Sequence, residues 1–519
     1  MPGASWLLGA LDLRPILKNE ADMKAVKNFR EKALSGMAWS VVSQIGRQGI
    51  LLISNIILAR LLTPHDFGLV ATVLIFVNFA MILADQGFGA ALIQRPELTE
   101  EHLSSIYWVN VAMGIFLTAL FLWGAPLIAG FFHEDALAPL MRAIAWIFVV
   151  NSLCSVHKTL LTRRLAFKTI AKVEVIAAWV GGVTSIILAW RGWGAWSIIM
   201  QSAVAAVIGV VVLWRVSEWR PRAIFRWAAI RGLVGFSANH FLGNISNYWV
   251  RNVDNVLIGY VLGPGPLGIY TRAYSVMLFP LSRISRVLSR VMFPSLSLIQ
   301  ADHARVRGLF LRVTRAIALV TFPIMLGVAA SAENFTAVVF GEQWGEMVPI
   351  LRILAVVGMV QSVTSLIGNV YLSQNQTSLR LRVVLPLQAV QILGIVIGLR
   401  WGILGVAIGY AVASLATAPI ECHYAGGLIG MSVSDFALNL RGIFLCAATM
   451  ALVVAWLGAT FPAGVGVFAR FGLQVLVGGV VYLGSLHAFS IKGYGELLEV
   501  LSGLIRRRKS VAEVIGEAV

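Results

Sequence analysis

QIGRQGILLISNIILARLLTPHDFG, residues 44–68, returns in outline as NISNYWVRNVDNVLIGYVLGPGPLG, residues 244–268. Each copy reads as an apolar helix followed by a Leu-x-Pro-x-x-x-Gly turn. The turn is Leu62, Pro64 and Gly68 in the first copy, and Leu262, Pro264 and Gly268 in the second. The offset is constant (264 − 64 = 200; 268 − 68 = 200). The first helix carries Arg47 near its middle; the second carries Arg251 and Asp254. Charge inside a bilayer is expensive, so such residues are functional candidates by default. Two like halves that each hold charged residues follow a transporter pattern.

The composition agrees with a bilayer as solvent. Of 519 residues, 58% are hydrophobic and only 13% charged, with mean hydropathy +0.83; a soluble domain carries about 25% charged residues. The net charge of +17 would suggest nucleic acid on a soluble protein. Here it reads as Lys and Arg gathered in cytoplasmic loops, with no nucleic-acid partner. Cys154, Cys422 and Cys446 all sit in apolar stretches, without metal or disulfide spacing. The opening residues have a short apolar run but no basic region before it, so no cleavable signal peptide is read. Met23 begins a second natural start, MKAVKNFREKAL, and residues 1–22 read as native sequence or as a start-site extension.

A spanning helix needs about 20 apolar residues, and about fourteen segments meet that criterion. The expected fold is an all-α integral membrane protein with two pseudo-symmetric six-helix lobes and a C-terminal helix pair. The expected divisions are a cytoplasmic segment (1–33), an N-lobe (34–228), a C-lobe (229–432), a helix pair (433–490) and a cytoplasmic tail (491–519). Basic residues alternate from loop to loop. Arg163, Arg164, Lys168 and Lys172 form one cluster; Arg215, Arg220, Arg222 and Arg226 another; Arg506, Arg507, Arg508 and Lys509 a third. The loops TPHD, FFHED, RGWG, GPGP and GEQWGE are nearly bare of Lys and Arg. That alternation predicts both termini in the cytoplasm. Trp123, Trp190, Trp193, Trp196 and Trp401 fall at helix ends, as interfacial anchors do.

Three helices present polar stripes that contain arginine. Arg47 shares a face with Gln44 and Gln48. Asn244, Asn247, Arg251, Asp254 and Asn255 share a second stripe; Arg272, Ser275 and Arg283 recur at helical spacing on a third. A single polar residue is usually helix–helix glue. Three arginine stripes are better explained by a water-filled cationic cavity. Guanidinium forks match phosphate and pyrophosphate geometry, so an anionic substrate is expected. Substrate-binding candidates are Gln44, Arg47, Asn247, Arg251, Asp254, Arg272 and Arg283. Two acids, Asp85 and Asp254, are candidate ion-coupling sites. Asp85 reads equally as a polar helix end, and Asp254 as an ion pair with Arg251 one turn away. Tyr248, Tyr270 and Tyr274 read first as packing or anchoring groups. No Walker A, HExxH, GxSxG or paired CxxC pattern is present, so neither cofactor nor metal is expected. Gly181–Gly182 and Gly478–Gly479 read as close helix packing.

The stretches SGMAWSVVSQIGRQGI, ILARLLTPHDFGLVA, ADQGFGAALIQR and RNVDNVLIGYVLGPGPLGIYTRAY resemble bacterial polysaccharide-repeat flippases. These are the lipopolysaccharide and exopolysaccharide exporters of the multidrug/oligosaccharidyl-lipid/polysaccharide superfamily. The resemblance covers the chain after about residue 33. It implies an inner-membrane flippase, not an enzyme, that moves an undecaprenyl-diphosphate-linked oligosaccharide outward by alternating access. Its partners would be that anionic lipid-linked substrate, membrane lipids, and polysaccharide polymerase and export machinery. The resemblance places charged cavity residues at Arg47, Arg251 and Asp254, with Arg272 next. A related ion-coupled multidrug exporter would want acids deep in the cavity instead. A membrane polymerase or ligase would want a sizeable outer loop, which this chain lacks.

Overall fold

The computed structural model describes residues 44, 46–84, 88–95, 98–227, 248–249, 251–462 and 464–489. Every regular element among them is a helix. In lipid, each backbone N–H and C=O must bond within the segment, and a helix achieves that. Ten helical stretches among the described residues are long and apolar enough to cross a membrane. The longest, Thr377–Gly427, is broken by a 3-10 turn at Leu399–Trp401 into two helices. The chain is thus the all-α multi-pass membrane protein that its composition predicts. Trp123, Trp190, Trp193 and Trp401 are all exposed, as side chains that anchor at an interface must be.

Contacts divide the chain into two units, neither continuous in sequence. The first comprises the described residues within Met1–Leu58, Phe76–Gly130 and Asp135–Asn247. Its helices Phe167–Trp190 and Trp196–Val216 form a hairpin through a short turn. A Cβ added to Gly181 would stand 2.7 Å from the Gln201 carbonyl, and one on Gly182 would stand 2.6 Å from Ser54 Oγ. These adjacent glycines therefore let two different neighbours approach at backbone distance, as expected of small residues in membrane helices. Trp214 Nε1 donates to the Leu153 carbonyl at 3.0 Å and ties the hairpin to the helix Leu137–Arg163.

The second unit holds Ala59–Ile75, Phe131–Glu134 and the described residues from Tyr248 onward. Here the repeated stretch takes its meaning. Pro64 and Pro264 do not end helices; each is the first residue of one, Pro64–Ala84 and Pro264–Pro280. Proline suits that position because its missing N–H would be unbonded there anyway. The first start is closed by a reciprocal cap. Thr63 N–H and Oγ1 donate to Asp66 Oδ2 at 3.0 and 2.7 Å, and Asp66 N–H donates back to Thr63 Oγ1 at 3.3 Å. The second start uses Gly263 at φ +83°, a conformation that favours glycine. Gly68 and Gly268 are contact residues, not turn residues. A Cβ on Gly68 would overlap the Pro264 carbonyl, and a Cβ on Gly268 would overlap the Pro64 carbonyl. The two copies cross backbone against backbone, each glycine receiving the other copy's proline.

Around this crossing, each copy's preceding helix is closed by a distant segment. The helix 46–61 leaves carbonyls without intrahelical partners at its C-terminal end. Trp344 Nε1 donates to Ala59 O at 2.8 Å, and Gln343 Nε2 donates to Ala59 O and Arg60 O at 3.0 and 3.1 Å. Arg60 in turn donates to the Val338 carbonyl. The equivalent end of the helix 251–262 is covered by Phe131 and Phe132. Phe131 stacks on Tyr260 with centroids 4.6 Å apart, and Phe132 lies against Gly259. His65 and Glu134 pair at 3.6 Å. Trp344 is fully buried, unlike the helix-end tryptophans, so GEQWGE is a structural plug.

Further along, Thr377–Gly398 and Gly402–Gly427 pack through Gly394, Gly398, Gly405 and Gly409. The last two described helices are Val433–Thr460 and Val467–Ala488. Gly478 packs against Val454, whereas Gly479 meets nothing within 4 Å; only one glycine of that pair is a packing residue.

The crossing predicts a sharp positional contrast. Gly68→Ala and Gly268→Ala each force a methyl onto a carbonyl, and should cost at least the roughly 1–3 kcal/mol of an overpacked core. Gly209→Ala, at an open position, should be neutral or stabilising. Thermal unfolding of the detergent-solubilised chain reads the difference. Equal melting temperatures for Gly68→Ala and Gly209→Ala would rule out the crossing.

Candidate functional site

The candidate residues divide between the units. Gln44 and Arg47 belong to the first; Arg251, Asp254, Arg272 and Arg283 belong to the second. Arg47 is half-buried on the helix 46–61, and Gln44 is exposed. Asp85 and Asn247 lie outside the described residues.

In the second unit the helix 251–262 presents Arg251 exposed and Asp254 buried, 9% accessible. Asp254 Oδ1 accepts the Asn255 N–H at 2.8 Å, and Oδ2 accepts the Tyr270 hydroxyl at 3.4 Å. Tyr270 is fully buried and stacks on Tyr274, with centroids 5.7 Å apart. Tyr274 lies 6.1 Å from the Tyr410 ring, and Gln361 Nε2 donates to Tyr410 Oη at 2.7 Å. A polar chain thus runs from Asp254 through three tyrosines to Gln361. It crosses four helices: 251–262, Pro264–Pro280, Gly402–Gly427 and Met347–Thr364. Buried polar groups require such partners, because an unmade hydrogen bond costs about 1–3 kcal/mol.

Arg272 is placed by the crossing itself. Its guanidinium carbon stands 4.1 Å over the Phe67 ring, and Phe67 follows the Pro64 helix start by three residues. A desolvated cation over an aromatic face gains about 2 kcal/mol. Phe67 meets Trp344 edge-on at 5.4 Å, so cation, ring and plug form one stack. Arg283 lies in a π-helical turn, Leu281–Ser285, directly after Pro280. It is exposed, and its guanidinium carbon is 5.7 Å from the Phe279 centroid. Single π turns inside α-helices occur frequently at functional positions. Among the described residues no group of three His, Cys, Asp or Glu could hold a metal ion.

Chemically, these groups supply guanidinium donors suited to phosphate oxygens and one buried carboxylate able to accept a proton or small cation. Sequence reasoning missed Phe67, Tyr410 and Gln361. Phe67 sits inside the repeated stretch, beside Gly68, and the constant offset could have flagged it. Tyr410 and Gln361 are isolated polar residues in apolar helices, with no spacing that announces their partners.

Comparison with known proteins gives the family and the fold. Residues 57–349, more than half of the chain, match the family model described as polysaccharide biosynthesis protein. The chain belongs to that family. It is 29% identical over 469 residues to the teichuronic acid biosynthesis protein TuaB of Bacillus subtilis, covering 88% of this chain and 95% of that one. It is 28% identical to the lipopolysaccharide biosynthesis protein WzxC of Escherichia coli, covering 75% and 80%. Among solved structures, the lipid II flippase MurJ in an inward closed conformation aligns with TM-score 0.68 at 16% identity. That alignment covers 89% of this chain and all of MurJ, and it establishes the shared fold.

The Asp254–Tyr270 contact predicts a measurable coupling. Tyr270→Phe and Asp254→Asn should each lower thermal stability. The double variant should fall short of their sum by about 0.5–3 kcal/mol, the range for directly interacting groups. Strict additivity would mean that the two side chains do not interact.

Proposed function

We propose that this chain is a flippase of the bacterial inner membrane. It moves an undecaprenyl-diphosphate-linked oligosaccharide repeat unit from the cytoplasmic to the outer leaflet, by alternating access, for lipopolysaccharide or exopolysaccharide biosynthesis. It is a transporter and performs no covalent chemistry. One observation carries the reading: a chain of the polysaccharide biosynthesis family holds arginines on apolar helices, Arg47 on 46–61, Arg251 on 251–262 and Arg272 on Pro264–Pro280, with Arg283 in the π turn that follows. The roles of TuaB and WzxC in teichuronic acid and lipopolysaccharide biosynthesis, and of MurJ as a lipid II flippase, support it.

In this reading the arginines, with Gln44 and Asn247, receive the pyrophosphate and the adjoining headgroup, while the polyprenyl tail stays in lipid. Arginine is charged at every physiological pH, so it binds the anion without exchanging protons. The inside-negative potential favours outward movement of the bound anion, by about 2.3 kcal/mol per charge per 100 mV. Asp254 is the candidate for a coupled proton or cation, with Asp85 as the second. The crossing at Gly68 and Gly268 parts when the outward-open form develops, and re-forms after release. Both termini lie in the cytoplasm, as the basic loops require. A polymerase and export machinery then consume the product outside.

The test is the leaflet in which lipid-linked repeat units accumulate. In a deletion strain, inner-membrane polyprenyl-diphosphate sugars should build up shielded from a membrane-impermeant sugar-modifying reagent applied to spheroplasts. The wild-type gene should restore their exposure. Arg47→Ala and Arg251→Ala should restore it about 10- to 100-fold less well, the loss of one charge-assisted contact of about 1.5–3 kcal/mol. Repeat units exposed outside but unpolymerised in the deletion strain would place the defect after translocation and overturn the flippase reading.

A further inference from the structure

The fourth helix of each half carries the same short polar pattern. Leu137–Arg163 holds Asn151-Ser152-x-x-Ser155, and Met347–Thr364 with the residue after it holds Gln361-Ser362-x-x-Ser365. The offset is constant (361 − 151 = 210; 362 − 152 = 210; 365 − 155 = 210). Pro139 with Pro349, and Arg142 with Arg352, keep the same offset.

The two copies differ in what their polar groups meet. In the second, the side-chain donors are consumed by packing. Gln361 donates to Tyr410 at 2.7 Å, and Ser362 Oγ shares a hydrogen bond with Thr321 Oγ1 at 2.8 Å. The Ser362 carbonyl accepts from Ser285 and Ser365. In the first copy the equivalent groups line a cavity of about 180 Å³ within the first unit, with Ser152 Oγ also donating to the Val149 carbonyl at 2.7 Å. Asn151 Nδ2 reaches only the Met81 sulfur at 3.9 Å, and Asn110 Nδ2 reaches Ser155 Oγ at 3.3 Å. The Asn110 and Asn151 carbonyl oxygens have no protein acceptor–donor bond among the described residues. Amide carbonyls that make no hydrogen bond carry a cost at membrane depth, and two of them face one cavity.

We propose that this cavity is a subsite for one neutral sugar ring of the lipid-linked headgroup; the inference rests on the flippase reading above. Three features select the ligand. Among the described residues no lining side chain is charged, which disfavours phosphate. The side-chain amides of Asn110 and Asn151 both donate and accept, matching adjacent hydroxyls or an acetamido group. Phe88, Phe148 and Met81 supply apolar walls for the C–H face of a pyranose. Size decides how much enters: sites for drug-sized ligands run to about 300–1,000 Å³, so this one takes a single ring, not a whole repeat unit. Gly114 helps form the pocket, since a Cβ there would stand 2.9 Å from Ser152 Oγ and the Phe148 carbonyl.

The experiment uses the full chain in lipid nanodiscs, titrated with four probes: undecaprenyl diphosphate, and the same lipid bearing glucose, galactose or N-acetylglucosamine. Wild type should bind at least one sugar-bearing probe about 10-fold more tightly than the bare lipid. Asn151→Leu, which keeps the volume and removes the amide, should erase that gain and leave bare-lipid affinity unchanged. Ser155→Ala should reduce the gain by a smaller factor, and stands as the independent variant if Asn151→Leu does not fold. Ser362→Ala, in the consumed copy, should lower the melting temperature and keep the gain. The subsite is overturned if no sugar adds affinity in wild type, or if the gain survives both first-copy variants. It is also overturned if those variants weaken all four probes equally, which marks the cavity as holding structural water only. Failure of wild type to bind even the bare lipid would instead overturn the flippase reading on which the subsite rests.

Discussion

Two glycines without side chains set the terms for the second unit. Gly68 and Gly268 let the proline-initiated helix starts of the two repeats meet backbone to backbone. Once they meet, other features acquire positions. Phe67, beside Gly68, lies under the Arg272 guanidinium and against the edge of Trp344. Trp344 and Gln343 are then in place to take the last carbonyls of the helix 46–61. The contacts are reciprocal: a segment of one half closes the other half's helix, at Trp344 with Ala59 and at Phe131 with Tyr260. In a bilayer, where lipid tails are as apolar as leucine, such close contact and hydrogen bonding replace hydrophobic burial as the source of cohesion.

The same constraint explains how a cation is kept in an apolar protein. An arginine stripped of water needs compensation, and Arg272 receives part of it from an aromatic face. Asp254 is held differently, by a tyrosine hydroxyl and a backbone amide. Acid and guanidinium each have their own support on the helices that flank the crossing. In the proposed function that separation assigns them different ligands, an anionic headgroup to the arginine and a proton or cation to the carboxylate.

Much of this was legible in the residues, and the limits are physical. Hydropathy and scarcity of charge disclosed the membrane helices because the bilayer imposes them locally, segment by segment. The constant offset disclosed the repeat. It did not disclose that Pro64 and Gly68 begin a helix and a crossing, because a Leu-x-Pro-x-x-x-Gly string suits a turn equally well. Gly181 and Gly182 were readable as packing residues, while Gly479 has the same appearance and packs on nothing. The Tyr410–Gln361 end of the polar chain was invisible, since its two residues stand 49 positions apart and meet only through tertiary packing. Trp344 stood out only as part of a loop bare of Lys and Arg, and its burial follows from a partner 285 positions away.

The account stands or falls on whether the reciprocal clasp opens during transport. Phe131 and Tyr260 stack at 4.6 Å, and both are partly exposed, so they can be exchanged for cysteines in a chain whose Cys154, Cys422 and Cys446 have been replaced. The direct measurement is outer-leaflet delivery of lipid-linked repeat units by the Phe131→Cys, Tyr260→Cys chain, before and after oxidation. The account predicts that the cross-linked chain stops delivering and that a reductant restores delivery. Full delivery by a chain shown to be fully cross-linked would contradict it.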